Sequence, residues 1–156
     1  MPMEIHEAGA PVRFEDFIEL IRAEWPAEWG SATDEEMLAE MRRSHDPRKD
    51  VVRCMIDGRT VVGWYRWSPW PREAAASEDA HILDIAVLPA RQGEGLGRAL
   101  MEDLIEDCGR RGCRNLLSRT FESNVASIRL HAGVGFREAF RNGNSIVWEL
   151  DLRGRA

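Results

Sequence analysis

Three glycines at alternate positions, Gly93, Gly95 and Gly97, lie where a short apolar run changes into a helical pattern. Residues 82–88 have the composition of a buried strand, and apolar residues recur at helical spacing from Leu96 onward. Because glycine has no Cβ, backbone N–H groups can converge on a ligand there, with the positive end of a helix behind them. The sequence therefore predicts a diphosphate site at this turn.

Two other glycine motifs fit this segment less well. A phosphate loop of the nucleoside triphosphatase type requires Gly-Lys-Ser/Thr after its spacer, and the chain has neither the lysine nor the hydroxyl there. The dinucleotide fingerprint opens a parallel, doubly wound domain, whereas two hairpin-like strands precede this turn. A turn that only connects a strand to a helix is the remaining alternative.

Flanking residues make the comparison with one family specific. Around the glycines, Val87, Pro89, Gln92-x-x-Gly95-x-Gly97 and Ala99-Leu100 resemble the acyl-coenzyme A binding motif of the GNAT family of N-acetyltransferases. Downstream, Asn124-x-x-Ser127-Ile128-x-Leu130-His131, with its Gly135-Phe136 ending, is similar to the second motif of that family. The resemblance covers nearly the whole chain.

The resemblance implies an α/β (α+β) fold of the GNAT type. That fold is a mixed seven-strand sheet with about four helices, splayed between the fourth and fifth strands. We assign these two strands to residues 81–88 and 114–120. Since the chain has 156 residues, we expect one domain over residues 1–152 and a short tail over residues 153–156.

The resemblance also implies acetyl-CoA as the co-substrate and no metal. Its pantetheine arm would lie along the fourth strand as an added half-strand, against Ile85, Ala86 and Val87. We expect Asn124 and Ser127 to contact the same arm, and Asn124 could also, or only, cap the helix that begins there. The diphosphate would lie on the turn formed by Gln92, Gly93, Glu94, Gly95, Leu96, Gly97 and Arg98.

Acetyl transfer requires a neutral amine and a proton for the departing thiolate. Histidine titrates in the useful range, so we predict that His81 accepts the amine proton. Strand alternation predicts His81 on the face shared with Ile85 and Val87, and Asp84, the second candidate, on the opposite face. A strand-end histidine bonded to a backbone carbonyl is the alternative for His81.

His131 occupies the position where the family usually has a tyrosine that protonates the thiolate. An imidazolium could donate that proton, or the ring could only hydrogen-bond the cofactor. Neither Cys54, in mid-strand, nor Cys108, in the apolar stripe of a helix, has the setting of an acyl-carrying nucleophile. Direct transfer from the thioester to the amine is therefore favoured.

Two segments are candidates for the acceptor side. In the family, the region that corresponds to residues 24–30 commonly borders the acceptor pocket. Trp25 and Trp29, with the acids Glu24 and Glu28, could form an aromatic cradle for a cationic group there, or the tryptophans could only fill the gap between two helices. Residues 68–79 are polar and proline-bearing, which predicts either a mobile lip over the acceptor site or a disordered loop.

Composition limits the partners. The net charge is −6, and no basic stripe is present, which argues against nucleic acid. The acidic residues are concentrated in residues 1–80, where they could attract a cationic acceptor or only solvate helix faces.

No apolar run is long enough for a membrane span. Three cysteines without metal-type spacing indicate reduced thiols and a cytoplasmic location, and a homodimer stays open.

The predicted function is therefore transfer of an acetyl group from acetyl-CoA to a primary amine, most simply that of a small molecule. A catalytically silent domain that senses acyl-CoA is one alternative. A protein acetyltransferase that acts on lysine or on a chain N-terminus is the other.

Overall fold

The Asp57-Gly58 turn joins two antiparallel strands, as its hairpin signal predicts, and Gly58 has the positive φ of 63° that such a turn favours. The computed structural model describes residues 3–72 and 77–154. The strands are β1 (Glu4–Glu7), β2 (Val51–Asp57), β3 (Thr60–Trp70), β4 (Asp79–Val87), β5 (Asn115–Phe121), β6 (Arg137–Asn142) and β7 (Ser145–Asp151). The helices are α1 (Ile18–Glu24), α2 (Asp34–Ser44), α3 (Leu96–Arg110) and α4 (Val125–Gly133).

The seven strands form one mixed sheet in the order β1-β2-β3-β4-β5-β7-β6. Neighbouring strands in this sheet are antiparallel, except β4 and β5, which are parallel. This arrangement confirms the predicted fold class. The extent of the domain and of its tail stays a prediction, although Leu152 is buried in the core.

Helices cover the sheet on both faces, because α1, α2 and α3 each bury apolar residues against it. On one face, α1 and α2 pack against Trp64 through one cluster that includes Leu20, Ile21 and Met41. On the other face, Leu100 of α3 is buried in a second cluster. Burial of each such leucine or isoleucine contributes on the order of 2 kcal/mol. In the described part of the chain, no helix combines the length and the hydropathy required to cross a bilayer.

Local signals in the sequence explain where two helices begin. Thr33 and Glu36 form a reciprocal capping box at the start of α2. The Asn124 side chain accepts a hydrogen bond of 3.1 Å from the Ser127 amide, which confirms that Asn124 caps α4. Phe14, Phe17 and Ile21 recur at helical spacing, which predicts a helix over residues 12–24, but α1 begins only at Ile18, because Phe14–Phe17 forms a 3-10 turn.

The sheet opens between β4 and β5. These strands pair only over Asp79–His81 and Asn115–Leu117, and they separate beyond His81. The predicted splay is therefore present, and it begins where β4 runs toward Val87. One edge of β4 pairs with β3, so its other edge is open to a ligand along residues 82–87.

A β-bulge in β4 changes which residues share a face. Between Ile82 and Asp84, β4 advances by two residues while β3 advances by one, so Leu83 is extra. His81 and Asp84 therefore lie on the same face, and Ile85 lies on the other. The prediction that alternation separates His81 from Asp84 is wrong, because a simple period of two cannot anticipate a bulge.

The predicted lip is shorter than expected. Residues 68–70 belong to β3 and pair with Asp79–His81, and Ser68 is buried. Within the same segment, residues 73–76 lie outside the described residues. Residues 68–70 form a strand because pairing with β4 satisfies their backbone, although proline and serine are poor strand formers.

Candidate active site

A cavity of about 540 Å³ lies between the open edge of β4, the turn before α3 and one side of α4. It brings together eleven of the twelve predicted cofactor-binding residues: Ile85, Ala86, Val87, Gln92, Gly93, Gly95, Leu96, Gly97, Arg98, Asn124 and Ser127. Glu94 does not line it and instead pairs with Arg91 at 2.9 Å. Residues of both sequence motifs therefore meet around one space.

The glycine turn presents backbone donors to this cavity. Gly93 and Gly95 have φ values of 84° and 82°, which glycine adopts without strain. Ala99 donates the first amide bond of α3, to the Gly95 carbonyl at 3.1 Å. The three N–H groups of residues 96–98 precede it, and no side chain among the described residues caps this helix start. Uncapped amides at a helix N-terminus favour an anion.

Gly97 lies at the cavity wall. A Cβ built there would be 3.7 Å from Leu130 Cδ2 and 3.9 Å from Val87 Cγ2, both ordinary contacts. The packing of the protein alone therefore does not require glycine, but a larger side chain would fill the cavity. Gln92 fixes the turn against β4, since its Nε2 donates to the Val87 carbonyl at 3.3 Å.

Arg91 and Arg129 also line the cavity, and sequence reasoning missed both. With Arg98, three arginines are therefore among the residues that line the cavity. Arg91 pairs with Asp57 and Glu94, and Arg98 pairs with Glu102 at 3.1 Å. Both missed arginines lie in or beside the recognised motifs, but the direction of their side chains could not be deduced from spacing.

The last turn of α1 lines the cavity near Asp84 of β4, whereas the glycine turn follows the other end of that stretch of β4, after Val87. Ala23 and Glu24 line it there, next to Ile85 and Ala86 of β4. Glu24 is half-buried, and its Oε1 accepts a hydrogen bond from Trp64 Nε1 at 3.2 Å. Burial and the nearby Asp84 carboxyl raise the pKa of Glu24 well above its usual range. Sequence reasoning placed Glu24 in a candidate cradle for a cationic group, but it did not single out this carboxyl as a candidate proton acceptor.

Asp84 lies beside Glu24 but does not line the cavity itself. Its Oδ2 accepts a hydrogen bond of 2.6 Å from Arg66 Nε. Only 3% of Arg66 is exposed, and its Nη2 also donates to Ser44 Oγ at 3.3 Å. Asp84 is therefore the acidic member of a buried ion pair with Arg66, and the neighbouring Glu24 carboxyl reaches the cavity.

His81 does not line the cavity either. Its Nδ1 donates to the Ile82 carbonyl at 2.8 Å, and its ring lies 4.9 Å from that of Trp70. Burial lowers the pKa of His81. This geometry matches the strand-end alternative, and the role of His81 as proton acceptor stays a prediction.

His131 is 1% exposed and lies in the core between Phe136 and Trp148. Its Nδ1 donates to the Ser127 carbonyl at 2.7 Å, and its Nε2 accepts from Ser118 Oγ at 2.8 Å. Burial lowers the pKa of His131. Because both ring nitrogens are bonded within the core, this placement argues against His131 as the proton donor to a thiolate.

The two tryptophans after α1 pack on each other. Their rings meet edge to face at 5.1 Å, and Trp25 Nε1 donates to the Gly30 carbonyl at 3.1 Å. Trp25 also packs against the core under α1 and α2, while Trp29 is 56% exposed. Neither lines the cavity, so the gap-filling alternative fits Trp25.

Over residues 3–72 and 77–154, no cluster of three His, Cys, Asp or Glu side chains could hold a metal ion.

Comparison with known proteins agrees with this geometry. Residues 14–136 match the family model described as "Acetyltransferase (GNAT) family". Over 62 residues the chain is 44% identical to ribosomal protein bS18-alanine N-acetyltransferase of Escherichia coli (strain K12), which covers 40% of this chain and 42% of that relative. Over 133 residues it is 27% identical to mycothiol acetyltransferase of Amycolatopsis mediterranei (strain U-32), which covers 81% of this chain and 44% of that relative. The chain thus spans less than half the length of each of these two relatives.

The fold has close structural counterparts. The crystal structure of PaiA N-acetyltransferase from Thermoplasma acidophilum in complex with coenzyme A has a TM-score of 0.75 and 16% identity, covering 97% of this chain and 99% of that chain. At that identity the likeness concerns the fold alone. The family model, in contrast, spans most of the sequence and includes both motifs around the cavity. The chain therefore belongs to the GNAT family of acetyltransferases.

Proposed function

We propose that the protein is an acetyl-CoA-dependent N-acetyltransferase that transfers the acetyl group directly to a primary amine, most simply that of a small molecule. One observation carries the proposal. A single cavity has uncapped helix amides at one end, an open strand edge along its side and a carboxyl group, that of Glu24, at the other end. These features suit a diphosphate, a pantetheine arm and an amine, in that order.

The cofactor would extend along the cavity from the turn to β4. Its diphosphate would accept hydrogen bonds from the N–H groups of residues 93–98, with Arg91, Arg98 and Arg129 supplying positive charge. Its pantetheine amides would pair with the open edge of β4 over residues 85–87. Asn124 and Ser127 would border the same arm from α4.

Direct transfer is supported by the positions of the cysteines. Cys54, Cys108 and Cys113 are buried free thiols, and none lines the cavity. Burial raises the pKa of Cys54 and Cys108, which disfavours the nucleophilic thiolate. The protein therefore acts by orienting and desolvating the two reactants rather than by carrying the acyl group.

Free thiols also suit a reducing compartment, and we place the protein in the cytoplasm on that ground.

The acceptor class distinguishes this proposal from its alternatives. By their names, one relative modifies a protein alanine and another acts on mycothiol, so the names favour neither a protein nor a small acceptor. A silent sensor would keep the cofactor site and lack turnover. The carboxyl at the end of the cavity favours an enzyme, because an ammonium acceptor must lose a proton before attack.

Calorimetry followed by turnover tests the proposal. We expect acetyl-CoA and CoA to bind, and thiol to be released when a small amine from a panel is added, with the acetylated product identified by mass. Thiol release with peptides alone would support the protein acetyltransferase, and binding without release would support the sensor. Absence of binding by every CoA species would overturn all three.

A further inference from the structure

We propose that Glu24 is the catalytic residue that takes the proton from the amine, and that Asp84 is a positioning residue that acts through Glu24. This inference rests on the proposed function and names the proton acceptor for it. Sequence patterns pointed to β4 for this role, whereas the structure assigns it to the end of α1.

The position of Glu24 in the cavity is the first support. Glu24 lines the same space as Ile85 and Ala86, the β4 residues against which the thioester end of a pantetheine arm would lie. The diphosphate turn is at the other end of this space, so a cofactor that extends along β4 approaches Glu24 with its reactive end. An amine that enters beside Glu24 would therefore meet the thioester carbon.

The Glu24 side chain is also held in place. Trp64 Nε1 donates to its Oε1 at 3.2 Å from beneath, and the Trp64 indole is fully buried between Phe14 and Phe17. One carboxyl oxygen is thereby fixed by a rigid donor, and the other can accept a proton. A fixed acceptor beside the reacting atoms is what general base catalysis requires.

Charged groups on two strands act on this carboxyl. Asp84 of β4 lies within hydrogen-bonding reach and, together with burial, raises the pKa of Glu24. Arg66 of β3 and the Trp64 N–H oppose this effect. Arg66 itself is bonded to Asp84 at 2.6 Å, so its charge is largely committed to that pair. The outcome is a raised pKa, which makes Glu24 a stronger base than an exposed glutamate.

The proposed step needs one base and one leaving group. The Glu24 carboxylate removes one proton from the ammonium, and the freed nitrogen lone pair attacks the thioester carbon. The new N–C bond forms, the C–S bond breaks with its electron pair on sulfur, and the second proton lost by nitrogen passes to the thiolate. Glu24 then returns its proton to solvent. The products are the amide, the free thiol of CoA and one proton.

Steady-state pH profiles of four proteins test the inference: wild type, Glu24→Gln, Asp84→Asn and the control Glu19→Gln, an exposed position on the same helix. We expect Glu24→Gln to lower kcat by about 10²–10⁴-fold, with little change in acetyl-CoA affinity. Asp84→Asn should move the ascending limb of the profile to lower pH, because it removes the anion that raises the pKa of Glu24. Glu19→Gln should match wild type.

Several outcomes would overturn the inference without touching the proposed function. One such outcome is a pH profile of Glu24→Gln that keeps the ascending limb of wild type. Another is an Asp84→Asn variant with lower kcat but an ascending limb at the wild-type pH, because a purely structural role of Asp84 would give that pattern. If wild type acetylates no amine, the proposed function fails, and the carboxyl pair is tested separately by ¹³C titration of Glu24 in the free protein. If the two carboxyls interact, the titration midpoint of Glu24 is lower in Asp84→Asn than in wild type. The same titration replaces the kinetic test if Glu24→Gln does not fold.

Discussion

The two ends of the cavity are built in different ways. The end that would hold the diphosphate uses consecutive backbone groups over residues 92–98, shaped by two glycines with positive φ. The acceptor end uses side chains from α1, β3 and β4, namely Glu24, Trp64 and Asp84, joined by hydrogen bonds and charge. With the proposed function, cofactor binding would therefore depend on local backbone geometry, whereas acceptor chemistry would depend on tertiary packing.

The charges of the two ends are also opposite. Arg91 and Arg98 lie at the turn and Arg129 lines the cavity from α4, while carboxyl groups lie at the acceptor end and are partly balanced by the buried Arg66. This contrast suits an anionic cofactor and a cationic amine. It predicts that substitutions at the two ends have separable effects, on affinity at one and on stability or turnover at the other.

The largest expected effect is at the buried ion pair. Arg66→Met should lower the free energy of unfolding by about 3–5 kcal/mol, because it leaves Asp84 and the neighbouring Asp50 as buried carboxylates without this partner. Urea unfolding measures the loss. The double variant Arg66→Met with Asp84→Asn should recover part of it, and no recovery would contradict the pairing.

Gly97→Val should weaken the binding of CoA by about 100-fold, or about 2.7 kcal/mol, because the side chain would fill the cavity between Leu130 and Val87. Calorimetry measures the affinity. Gly109→Val is the matched control, since it introduces the same residue in the same helix where a Cβ meets nothing within 4 Å. Equal loss of affinity in both variants would show that the effect is not local.

His131→Ala should cost about 2–3 kcal/mol of stability, because it removes a buried ring and leaves Ser118 without its partner. Turnover by the folded variant should stay close to that of wild type. If turnover instead fell by about two orders of magnitude while stability was unchanged, His131 would be supported as the proton donor. Urea unfolding and turnover at one pH separate the two results.

The stability gap between wild type and His131→Ala should narrow as the pH falls below about 6.5. Burial lowers the folded-state pKa of His131, so the unfolded chain binds more protons in this range, and the stability that the neutral ring contributes is lost on acidification. Denaturant midpoints at pH 7.5, 6.5 and 5.5 measure the gap. His6→Ala, at an exposed histidine, is the control. A gap that widens toward low pH would contradict the burial argument.

The smallest effect is expected at His81. His81→Ala should lower kcat by less than about 10-fold, since its Nδ1 is bonded to a backbone carbonyl and its ring does not line the cavity. Turnover measurements beside Glu24→Gln give the comparison. A larger loss of kcat in His81→Ala than in Glu24→Gln would instead support His81, the residue that the sequence indicated, as the base.

Prediction from sequence succeeded for local structure that depends on consecutive residues. The strand, glycine turn and helix of the cofactor motif were readable because local periodicity and glycine placement define them. The bulge at Leu83 was not readable, since it depends on how β3 and β4 pair, and it reversed the face assigned to His81. The sequence indicated Glu24 only as part of a candidate cradle, because the partners that hold its carboxyl are distant in sequence, with Trp64 40 residues away. His131 shows that a motif position alone does not reveal whether a side chain faces the site or the core.

Backbone amide NMR during a titration with coenzyme A tests the central claim most directly. We expect the largest shifts at the N–H groups of residues 93–98, with a second set at residues 85–87 on the open edge of β4 and little change in β6. Binding that leaves the amides of the glycine turn unshifted, or a titration without any shifts, would contradict the assignment of this turn as the diphosphate site.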